Sequence, residues 1–507
     1  MKKILNKKMV ACLCILPMSL SIFAGCSSGE KGQAASTNAD GIPKVYIFQN
    51  SGAYNGSNGG TKPEKLEEVK QYITEQTGIE PVAILPPAGT ESEKLNIMLS
   101  SDEPIDMFWG NWQDYASKNA IEPLNDLLDQ YGEDIKKGWP ESSWNMMTDE
   151  DGNIWGIPRA GDIAVYPTFI RKDWLDQLGL EMPTTFEELE YTLKEFKEKD
   201  PSGTGETIPL IADKAGLEMG YFAGFLDGGS GNWVDPSDGT VKFNEQRPEY
   251  KEFIEMISDW YKKGYLYKEA LTANKDRYKE LIKQNKVGVI TTWGSTMPMV
   301  YQDLKDLVPT QDYQMVHTLQ GPKGKIETLS PSGTACLMIP KKSQNKEAMI
   351  KYINWEYENL DNNMVAWYGI KDKDWKWADE ENHVYERLNT DYGSDFVTGL
   401  GSPLKERMFI TNDSKLKFYL EWYRDWQFNY DRTKKPDDYG ILYDEKKLAE
   451  EVPTLGDLSR LRTEAFDKFV TGARPMSEWD DYMEELKQAG GDQWSAAVTK
   501  QYNELKK

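Results

Sequence analysis

The first clearly patterned part of the chain runs strand, loop, helix, strand, and this order constrains the fold more than any other feature. Lys44–Phe48 is a strand-like apolar run. A helix is predicted between Thr61, which can form a capping box with Glu64, and Gly78, which suits a left-handed helix end. Pro81–Leu85 is a second short strand-like run. This order is typical of an α/β protein.

Later parts of the chain repeat the alternation of strands and helices. Thr185 and Glu188 form a second capping box ahead of an apolar helical stripe. Apolar runs at 286–291 and 335–339 predict buried strands, and a helix is predicted soon after the second run. Because 507 residues are too many for one ordinary domain, we expect an α/β protein of two or three domains.

The first 26 residues resemble a bacterial lipoprotein signal. Four lysines precede an apolar run from 9 to 23, and an Ala-Gly pair stands directly before Cys26. The run is short and contains a proline, which disfavours a membrane span. We expect a signal peptide over 1–25, acylation of Cys26 and a flexible tether over 26–40, which would hold the protein on the extracellular face of the cytoplasmic membrane. A released product of an ordinary signal peptide and an uncleaved anchor are the alternatives.

The charge of the chain argues against some classes of partner. Eighty-three acidic and 60 basic residues give a net charge of −23, and removal of residues 1–25, which hold four lysines and no acid, makes the chain four charges more negative. Such a protein is not expected to bind nucleic acid or an anionic lipid surface. We expect a monomer that contacts the membrane through its lipid anchor only.

Cysteines and histidines are too few for common metal and nucleophilic sites. Two of the four cysteines lie in the predicted signal, a third is Cys26, and Cys336 lies in an apolar run, so no internal disulfide is expected. His317 and His383 have no partners at ligand spacing, which disfavours zinc chemistry and a Ser-His-Asp triad. The chain has no phosphate-binding Gly-x-x-x-x-Gly-Lys-[Ser/Thr] motif. We therefore expect no cofactor.

Aromatic residues are unusually frequent. The chain contains 17 tryptophans and 27 tyrosines. Many will lie in the core, but such a surplus suits a protein that stacks aromatic rings on the apolar faces of sugars.

Several segments carry a resemblance to a known family. Ile105–Trp109 resembles a strand end of the pattern Pro-Asp-apolar-apolar-Trp, and Ile121–Leu128 matches a segment that contains Pro-Leu-Asn-Asp-Leu. Asp151–Pro158 matches Asp-Gly-x-apolar-aromatic-Gly-apolar-Pro. Ile170–Leu180 and Pro183–Leu189 together match a block that begins Arg-Lys-Asp-Trp-Leu and ends Pro-x-Thr-x-x-Glu-Leu. The chain resembles family 1 of the bacterial extracellular solute-binding proteins, which are similar to maltose-binding protein, and most of all the large Gram-positive lipoprotein branch that serves ABC sugar importers. The resemblance covers essentially all of 41–507.

The resemblance implies a two-lobed, periplasmic-binding-protein-like α/β fold (type II) with the ligand in the cleft between the lobes and about three crossovers. Mapping the motifs onto the chain puts lobe 1 at 41–163 plus 337–395 and lobe 2 at 168–330 plus 400–507. It also implies an ABC permease as partner and no catalysis.

The first candidate site residues follow predicted strands or the first crossover. Ligands collect at the carboxyl ends of strands in α/β lobes, which singles out aromatic and amide side chains after 105–108 and 286–291. An arginine near the cleft floor can clamp ring oxygens or a carboxylate, although a structural salt bridge is an equal alternative. These candidates are Trp109, Asn111, Trp112, Trp293, Arg159, Asp162 and Tyr166.

Three further aromatic candidates rest on weaker signals. Trp233 and Tyr54 lie in glycine-rich loops, and Trp367 lies in a predicted helical region. For each of them, packing against the protein itself is the alternative.

The segment after the 186–196 helix departs from the family. Many relatives carry an EF-hand-like calcium loop there, whereas this chain has a shortened Asp200–Pro209 segment that lacks most of the carboxylates. Since Ca²⁺ prefers several anionic oxygens, we expect weak or no calcium binding and a role for Asp200 in a turn or cap.

Taken together, these features predict a lipid-anchored substrate-binding protein that captures an oligosaccharide for import by lobe closure. A secreted glycan-degrading enzyme is one alternative, and it would need a pair of carboxylates across a cleft. A receptor for peptides or other solutes on the same fold is another alternative, with a charged clamp in place of aromatic platforms.

Overall fold

The computed structural model of the chain describes residues 36–49, 61–87, 89–159, 163–164, 166–294, 296–330, 333–398, 410–411 and 432–506. The predicted signal peptide, Cys26, Tyr54, Asp162 and most of the predicted tether lie outside these ranges. None of the helices within the described ranges combines the length and apolar composition needed to cross a bilayer.

The strands are short and are distributed along the whole described chain. They are β1 (Lys44–Phe48), β2 (Glu80–Ile84), β3 (Phe108–Asn111), β4 (Ile157–Pro158), β5 (Ile163–Ala164), β6 (Thr168–Arg171), β7 (Ile208–Ala212), β8 (Trp233–Val234), β9 (Val241–Lys242), β10 (Val287–Thr291), β11 (Tyr313–Met315), β12 (Gln320–Gly321), β13 (Gly324–Lys325), β14 (Glu327–Ser330), β15 (Ala335–Met338), β16 (Trp375–Asp379), β17 (Val384–Arg387), β18 (Ile410–Thr411) and β19 (Thr433–Lys434).

Helices separate most of these strands and form most of the C-terminal part. They are α1 (Pro63–Thr77), α2 (Glu91–Ser100), α3 (Trp112–Ala116), α4 (Asn125–Tyr131), α5 (Glu133–Lys137), α6 (Glu141–Asn145), α7 (Lys172–Leu178), α8 (Phe186–Lys199), α9 (Lys214–Gly220), α10 (Pro248–Lys262), α11 (Lys275–Lys283), α12 (Thr296–Leu307), α13 (Lys346–Glu358), α14 (Leu360–Tyr368), α15 (Glu445–Glu451), α16 (Leu455–Thr471), α17 (Trp479–Gln488) and α18 (Gly491–Leu505).

One hydrophobic cluster, here called the first core, is built from residues 45–157 and 337–397. β1 and β2 pair in parallel, and an isolated bridge between Ile47 and Met107 leads from β1 to the residue before β3. β15 lies between β3 and β4 and is antiparallel to both. α1 packs against β2, and α13 packs against α4 and α5. The predicted β–α–β opening of the chain is therefore confirmed.

A larger cluster, here called the second core, is built from residues 170–326 and 448–498. Its sheet has the order β11-β6-β10-β7, with β10 parallel to β7 and antiparallel to β6. The predicted apolar stripe of α8 is buried in this cluster through Phe186, Leu189, Leu193 and Phe196. All five residues of β10 are also buried, as the apolar run predicted.

The chain passes between the two cores three times, and the three passages meet in one small sheet. β5 belongs to the first passage, β14 to the second and β19 to the third, and the strand order is β19-β14-β5. Leu329 of β14 pairs with Ala164 in the antiparallel sense, and Glu327 pairs with Thr433 in the parallel sense. Segments far apart in sequence therefore share hydrogen bonds where the cores are connected.

The start of α1 differs from its prediction, whereas its end agrees. α1 ends before Gly78, which adopts the left-handed conformation with φ of 66°. The predicted capping box is wrong, because the N-cap is Lys62 and no side chain caps the helix. The Thr61 hydroxyl instead donates to Asp395 and accepts from the Gly393 N–H at 2.7 Å. A distant segment outcompetes the local cap.

The second predicted capping box forms only in part, whereas the predicted burial of Cys336 is confirmed. Thr185 Oγ1 accepts from the Glu188 N–H at 3.2 Å, although the Glu188 carboxylate turns to the Thr184 N–H, at 2.7 Å, rather than to Thr185. Cys336 is fully buried in β15, and burial raises the pKa of its thiol.

Candidate functional site

Side chains predicted to bind ligand lie at one edge of a sheet of the first core, where β3 and β4 end and β15 begins. β3 ends at Asn111, whose Oδ1 accepts from the Thr334 hydroxyl at 3.2 Å just before β15 begins. Arg159 directly follows β4. The antiparallel pairing of β15 with both neighbours brings these strand ends to one edge of the sheet. We call this edge the Arg159 edge.

Trp109 is fixed at this edge between the sheet and an arginine. Its indole Nε1 donates to the Thr398 carbonyl at 3.1 Å. The Arg159 guanidinium lies 3.9 Å from the centre of the indole ring. As a result Trp109 is only 3% exposed. The arginine occupies a ring face that was predicted to be a stacking platform for ligand.

Arg159 itself has no hydrogen bond or ion pair to any residue that the structure describes. Its Nε is buried and lacks an acceptor among the described atoms, while the side chain as a whole is half-buried. Stacking on Trp109 is therefore the contact that holds it. The predicted structural salt bridge is absent from the described residues.

A second group of predicted residues lies where β7 and β10 of the second core end. Trp293 follows β10 and is 39% exposed, which is unusual for so large an apolar side chain. The ring of Tyr166 meets it edge-on, with centroids 6.0 Å apart and an angle of 87° between planes. Lys275 Nζ lies 5.2 Å from the centre of the Trp293 ring. We call this group the Trp293 platform.

Asp213 belongs to the same edge of the second core and was not predicted. It follows β7 and caps α9, accepting from the Gly216 N–H at 2.6 Å. Burial raises the pKa of its carboxyl, and Lys275 opposes that rise. Burial and then the charge of Asp213 raise the pKa of Tyr166 to about 12. Tyr166 is therefore a neutral phenol near neutral pH, and the Asp213 carboxyl acts as an acceptor toward the Gly216 N–H.

The floor beneath the Trp293 platform is a chain of buried hydroxyls. The Tyr221 hydroxyl lies 2.7 Å from Thr291 Oγ1, which lies 2.9 Å from Thr168 Oγ1. The start of α9 presses on this floor, because a Cβ on Gly216 would come within 2.0 Å of the Thr291 carbonyl oxygen. This close contact fixes where Asp213 and Trp293 stand relative to each other.

Three predicted tryptophans lie in other surroundings. Trp112 is 7% exposed, stacks on Trp155 at 6.5 Å and donates from Nε1 to the Met146 carbonyl at 2.9 Å. Trp233 lies in β8 between the cations of Lys242 and Arg247, at 5.4 and 5.8 Å. Trp367, on α14, packs against the first core. Their surroundings favour packing, and ligand contact by these residues stays a prediction.

The degenerate calcium loop is closed by its own side chains. Asp200 adopts φ of 44° at the end of α8, and its carboxylate accepts from Ser202, from the Gly205 N–H and from Thr207. These hydrogen bonds lower the pKa of the carboxyl. No cluster of three potential His, Cys, Asp or Glu metal ligands occurs within the described ranges. The carboxylate of Asp200 is thus engaged within its own loop, and the predicted turn role of Asp200 is confirmed.

A cavity of about 560 Å³ lies elsewhere, between α15, α16 and α18 of the second core. Phe243, Trp494 and Arg462 are among its lining residues, and none of the predicted site residues is. Phe243 and Trp494 stack at 3.7 Å, and Arg462 is paired with Glu245. Phe243, Trp494 and Arg462 are thus engaged by neighbouring side chains.

The sequence is similar to one family of bacterial proteins and to individual members of known name. The family model described as "Bacterial extracellular solute-binding protein" matches residues 59–359. The fructooligosaccharide ABC transporter substrate-binding protein FusA of Streptococcus pneumoniae is 24% identical, over 97% of each chain. Lipoprotein LipO of Bacillus subtilis is 24% identical, over the full length of both chains.

A solved structure is also similar along most of its length. It is the S. pneumoniae ABC-transporter substrate-binding protein FusA in complex with kestose, with a TM-score of 0.62, 23% identity and coverage of 91% of this chain and 99% of that chain. This likeness shows the fold, a two-lobed α/β fold of type II, and confirms the predicted fold class.

Proposed function

The chain belongs to the bacterial extracellular solute-binding protein family, and on that premise we propose that it is the substrate-binding protein of an ABC transporter and that its solute is an oligosaccharide. The full-length similarity to FusA, whose name states a fructooligosaccharide substrate, supports the class of solute. We propose an ABC permease as the partner that receives the sugar.

The observation that carries this proposal is the exposed ring of Trp293 beside hydrogen-bonding groups. Sugars present apolar C–H faces and a rim of hydroxyls, so a site for them needs an aromatic surface flanked by polar side chains. Trp293 offers the surface, and Tyr166 holds it edge-on. Asp213 and Lys275 supply an acceptor and a donor at the same place. This combination suits a hydroxylated ring better than a purely apolar solute.

We propose that the lobes follow the predicted boundaries, 41–163 plus 337–395 and 168–330 plus 400–507, and that ligand binds between them. The separation of the hydrophobic clusters supports this division, since the second core lies within the lobe 2 segments and the first core exceeds the lobe 1 segments only by residues 396 and 397. Closure would be a hinge movement about the passages that meet in the β19-β14-β5 sheet. In this arrangement the Arg159 edge and the Trp293 platform lie on opposite walls of the cleft.

We also propose that the protein is held at the cell surface by lipid on Cys26. The signal-like sequence before Cys26 and the similarity to a lipoprotein support this anchor. Mass spectrometry of the protein purified from membranes tests it, because an acylated N-terminal peptide beginning at Cys26 is expected. A soluble product cleaved elsewhere contradicts the anchor without affecting the solute.

The function is tested by a thermal-shift screen of residues 27–507 against a panel of oligosaccharides, with mass analysis of the recovered sugar. Ligand stabilises by RT ln(1 + [L]/Kd), about 2.7 kcal/mol at a hundredfold excess over Kd. We expect one sugar class to raise Tm and to be recovered intact. Recovery of cleaved sugar points to a glycan-degrading enzyme, and a response to peptides alone overturns the sugar proposal.

A further inference from the structure

Arg159 differs from every other arginine of the described residues. Seven of the others reach the side chain of an acidic residue, and Arg387 donates to the Tyr392 carbonyl at 3.1 Å. The acidic partners are Asp173 for Arg171, Asp437 for Arg247, Glu280 for Arg277, Glu327 for Arg432, Asp457 for Arg460, Glu245 for Arg462 and Glu485 for Arg474. For Arg159 the described residues supply neither a carboxylate nor a carbonyl. Acidic residues are plentiful in a chain with a net charge of −23, so the lack of a described acidic partner is a particular property of the Arg159 edge.

The arginine is nevertheless held in a fixed place. Its guanidinium stacks 3.9 Å from the ring centre of Trp109, and Trp109 is itself fixed by its hydrogen bond to Thr398. Stacking uses the flat face of a guanidinium and leaves the N–H groups at its edge available. Among the described residues Arg159 is therefore positioned by an aromatic ring and by no anion, and its donors can serve a ligand.

The chemistry of these donors favours one kind of ligand group. A guanidinium has five N–H donors, no acceptor and a permanent positive charge. A hydroxyl both donates and accepts, so it satisfies this group only in part. A carboxylate only accepts, carries the opposite charge and matches the planar fork with two parallel hydrogen bonds. A half-buried guanidinium to which the described residues offer no acid is thus best completed by a carboxylate from outside.

We propose that the solute is an acidic oligosaccharide, one that contains uronic acid, and that Arg159 binds its carboxylate. This inference rests on the proposed function, and it names the substrate class of that same site. The uronate carboxylate lies against Arg159, and a sugar ring of the same ligand stacks on Trp293. Arg159 then selects acidic sugars over neutral sugars of equal size and linkage.

The experiment compares acidic sugars with neutral sugars of the same skeleton. Oligogalacturonides, glucuronate-containing oligosaccharides and mannuronate or guluronate oligosaccharides are each used as such and after chemical reduction of the carboxyl groups to primary alcohols. Calorimetric titration of residues 27–507 gives Kd for each pair. We expect at least one acidic sugar to bind tenfold or more tightly than its reduced form.

Two variants assign this preference to Arg159. In Arg159→Gln the ratio of the two Kd values falls to near one, and Arg159→Lys, which keeps the charge but loses the fork, gives an intermediate ratio. Lys118→Gln is the matched control, since Lys118 is a cation 5.8 Å from the Tyr115 ring at another place, and its ratio stays that of the wild type. The Tm of each variant without ligand reports whether it is folded. If Arg159→Gln does not fold, the ratio measured for Arg159→Lys decides the test.

Other outcomes overturn the inference and separate it from the proposed function. Equal binding of the acidic and reduced sugars, or an unchanged ratio in Arg159→Gln, overturns the role of Arg159. Binding of neutral oligosaccharides alone overturns the acidic class and leaves the proposed function standing. Failure of every saccharide, acidic or neutral, overturns both.

Discussion

The indole Nε1 of Trp109 donates a hydrogen bond to the main-chain oxygen of Thr398, 3.1 Å away, although 289 positions separate the two residues. Thr398 is also held by the buried Glu356 of α13, which accepts from its N–H at 3.1 Å and from its hydroxyl at 2.9 Å. The start of the third passage is thereby tied to the aromatic ring on which Arg159 stacks. A disturbance of Trp109 should therefore reach both the ligand site and the connection between the cores.

Trp109→Phe should lower stability and also weaken sugar binding. It leaves the Thr398 carbonyl without its indole donor and reduces the surface beneath Arg159. Loss of one buried hydrogen bond costs about 1 kcal/mol, measurable by urea unfolding. The control is Trp375→Phe, which loses a similar buried bond to the Gly369 carbonyl. It should show a similar loss of stability, with affinity unchanged. Equal loss of affinity in both variants would show that Trp109 acts only through stability.

Trp293→Ala should weaken sugar binding with little effect on stability. A ring that is 39% exposed contributes modestly to the core, whereas loss of a stacking surface costs on the order of 1.4 kcal/mol, a tenfold rise in Kd. Tyr191→Ala removes a ring that is 54% exposed on α8 and serves as the control. Calorimetric titration with the sugar found in the screen should show the rise for Trp293→Ala alone, and an unchanged Kd would remove Trp293 from the site.

Glu327 should make stability fall as pH rises. Burial raises the pKa of this carboxyl to about 8, against a weaker lowering by Arg432 at 3.9 Å. Because the folded pKa exceeds the unfolded value of 4.5, the folded state retains the proton. The raised pKa therefore adds to the free energy of unfolding. This added stability is complete below the unfolded pKa and is lost as pH rises through the folded pKa.

Glu327→Gln tests this pH dependence because glutamine imitates the protonated acid. Urea unfolding at pH 5 to 9 should show the variant gaining stability relative to the wild type as pH rises, with the gain levelling off above about pH 8. Glu206→Gln is the control, because Lys286 lowers the pKa of the Glu206 carboxyl, and its difference in stability from the wild type should stay constant over this pH range. A parallel course of wild type and Glu327→Gln across the range would contradict the raised pKa.

Asp200→Ala should destabilise the turn between α8 and β7. The variant loses the acceptors for Ser202, Gly205 and Thr207 and places alanine at a left-handed position. We expect a loss of about 1–2 kcal/mol, and a smaller loss for Asp200→Asn, which tolerates that conformation. Because side chains close this loop, EDTA should leave the wild-type Tm unchanged. A fall in Tm with EDTA that calcium reverses would establish a metal site.

Gly216→Ala should both destabilise the protein and weaken sugar binding. Its Cβ would meet the Thr291 carbonyl oxygen at 2.0 Å and force α9 away from β10. Such overpacking costs about 1–3 kcal/mol. Gly456→Ala, whose Cβ has no neighbour within 4 Å, should be neutral or slightly stabilising. A urea midpoint of Gly216→Ala equal to that of the wild type would contradict this prediction, because it would show that α9 can shift away from β10 without loss of stability.

Features with local causes could be predicted from the sequence. The extent of β1, the left-handed Gly78 and the Thr185 cap depend on residues within a few positions, and all three are confirmed. The Thr61 cap failed because Asp395, more than 300 positions away, offers the same hydroxyl a partner. Local pattern contains no information about such a competitor.

The candidate site was predictable to a similar degree. The position of Trp293 after an apolar strand and of Tyr166 near a crossover was enough to name both, and the structure brings their rings together. Asp213 also follows an apolar strand, so the same signal could have found it. Lys275 carries no such signal, because its place depends on how α11 packs. The stacking of Arg159 on Trp109 depends on the pairing of β4, β15 and β3, which joins segments that sequence alone does not relate.

The sheet of β5, β14 and β19, which joins segments far apart in sequence, has a consequence for folding during synthesis. The first core needs residues up to 397, and the second needs residues up to 498, so neither can be completed while the ribosome still has the last quarter of the chain to add. Local pieces such as β1–α1–β2 can form early, but long-range pairing must wait. The emerging polypeptide therefore lacks both finished cores until its C-terminal quarter has been made, so stable tertiary structure forms only when synthesis is nearly complete.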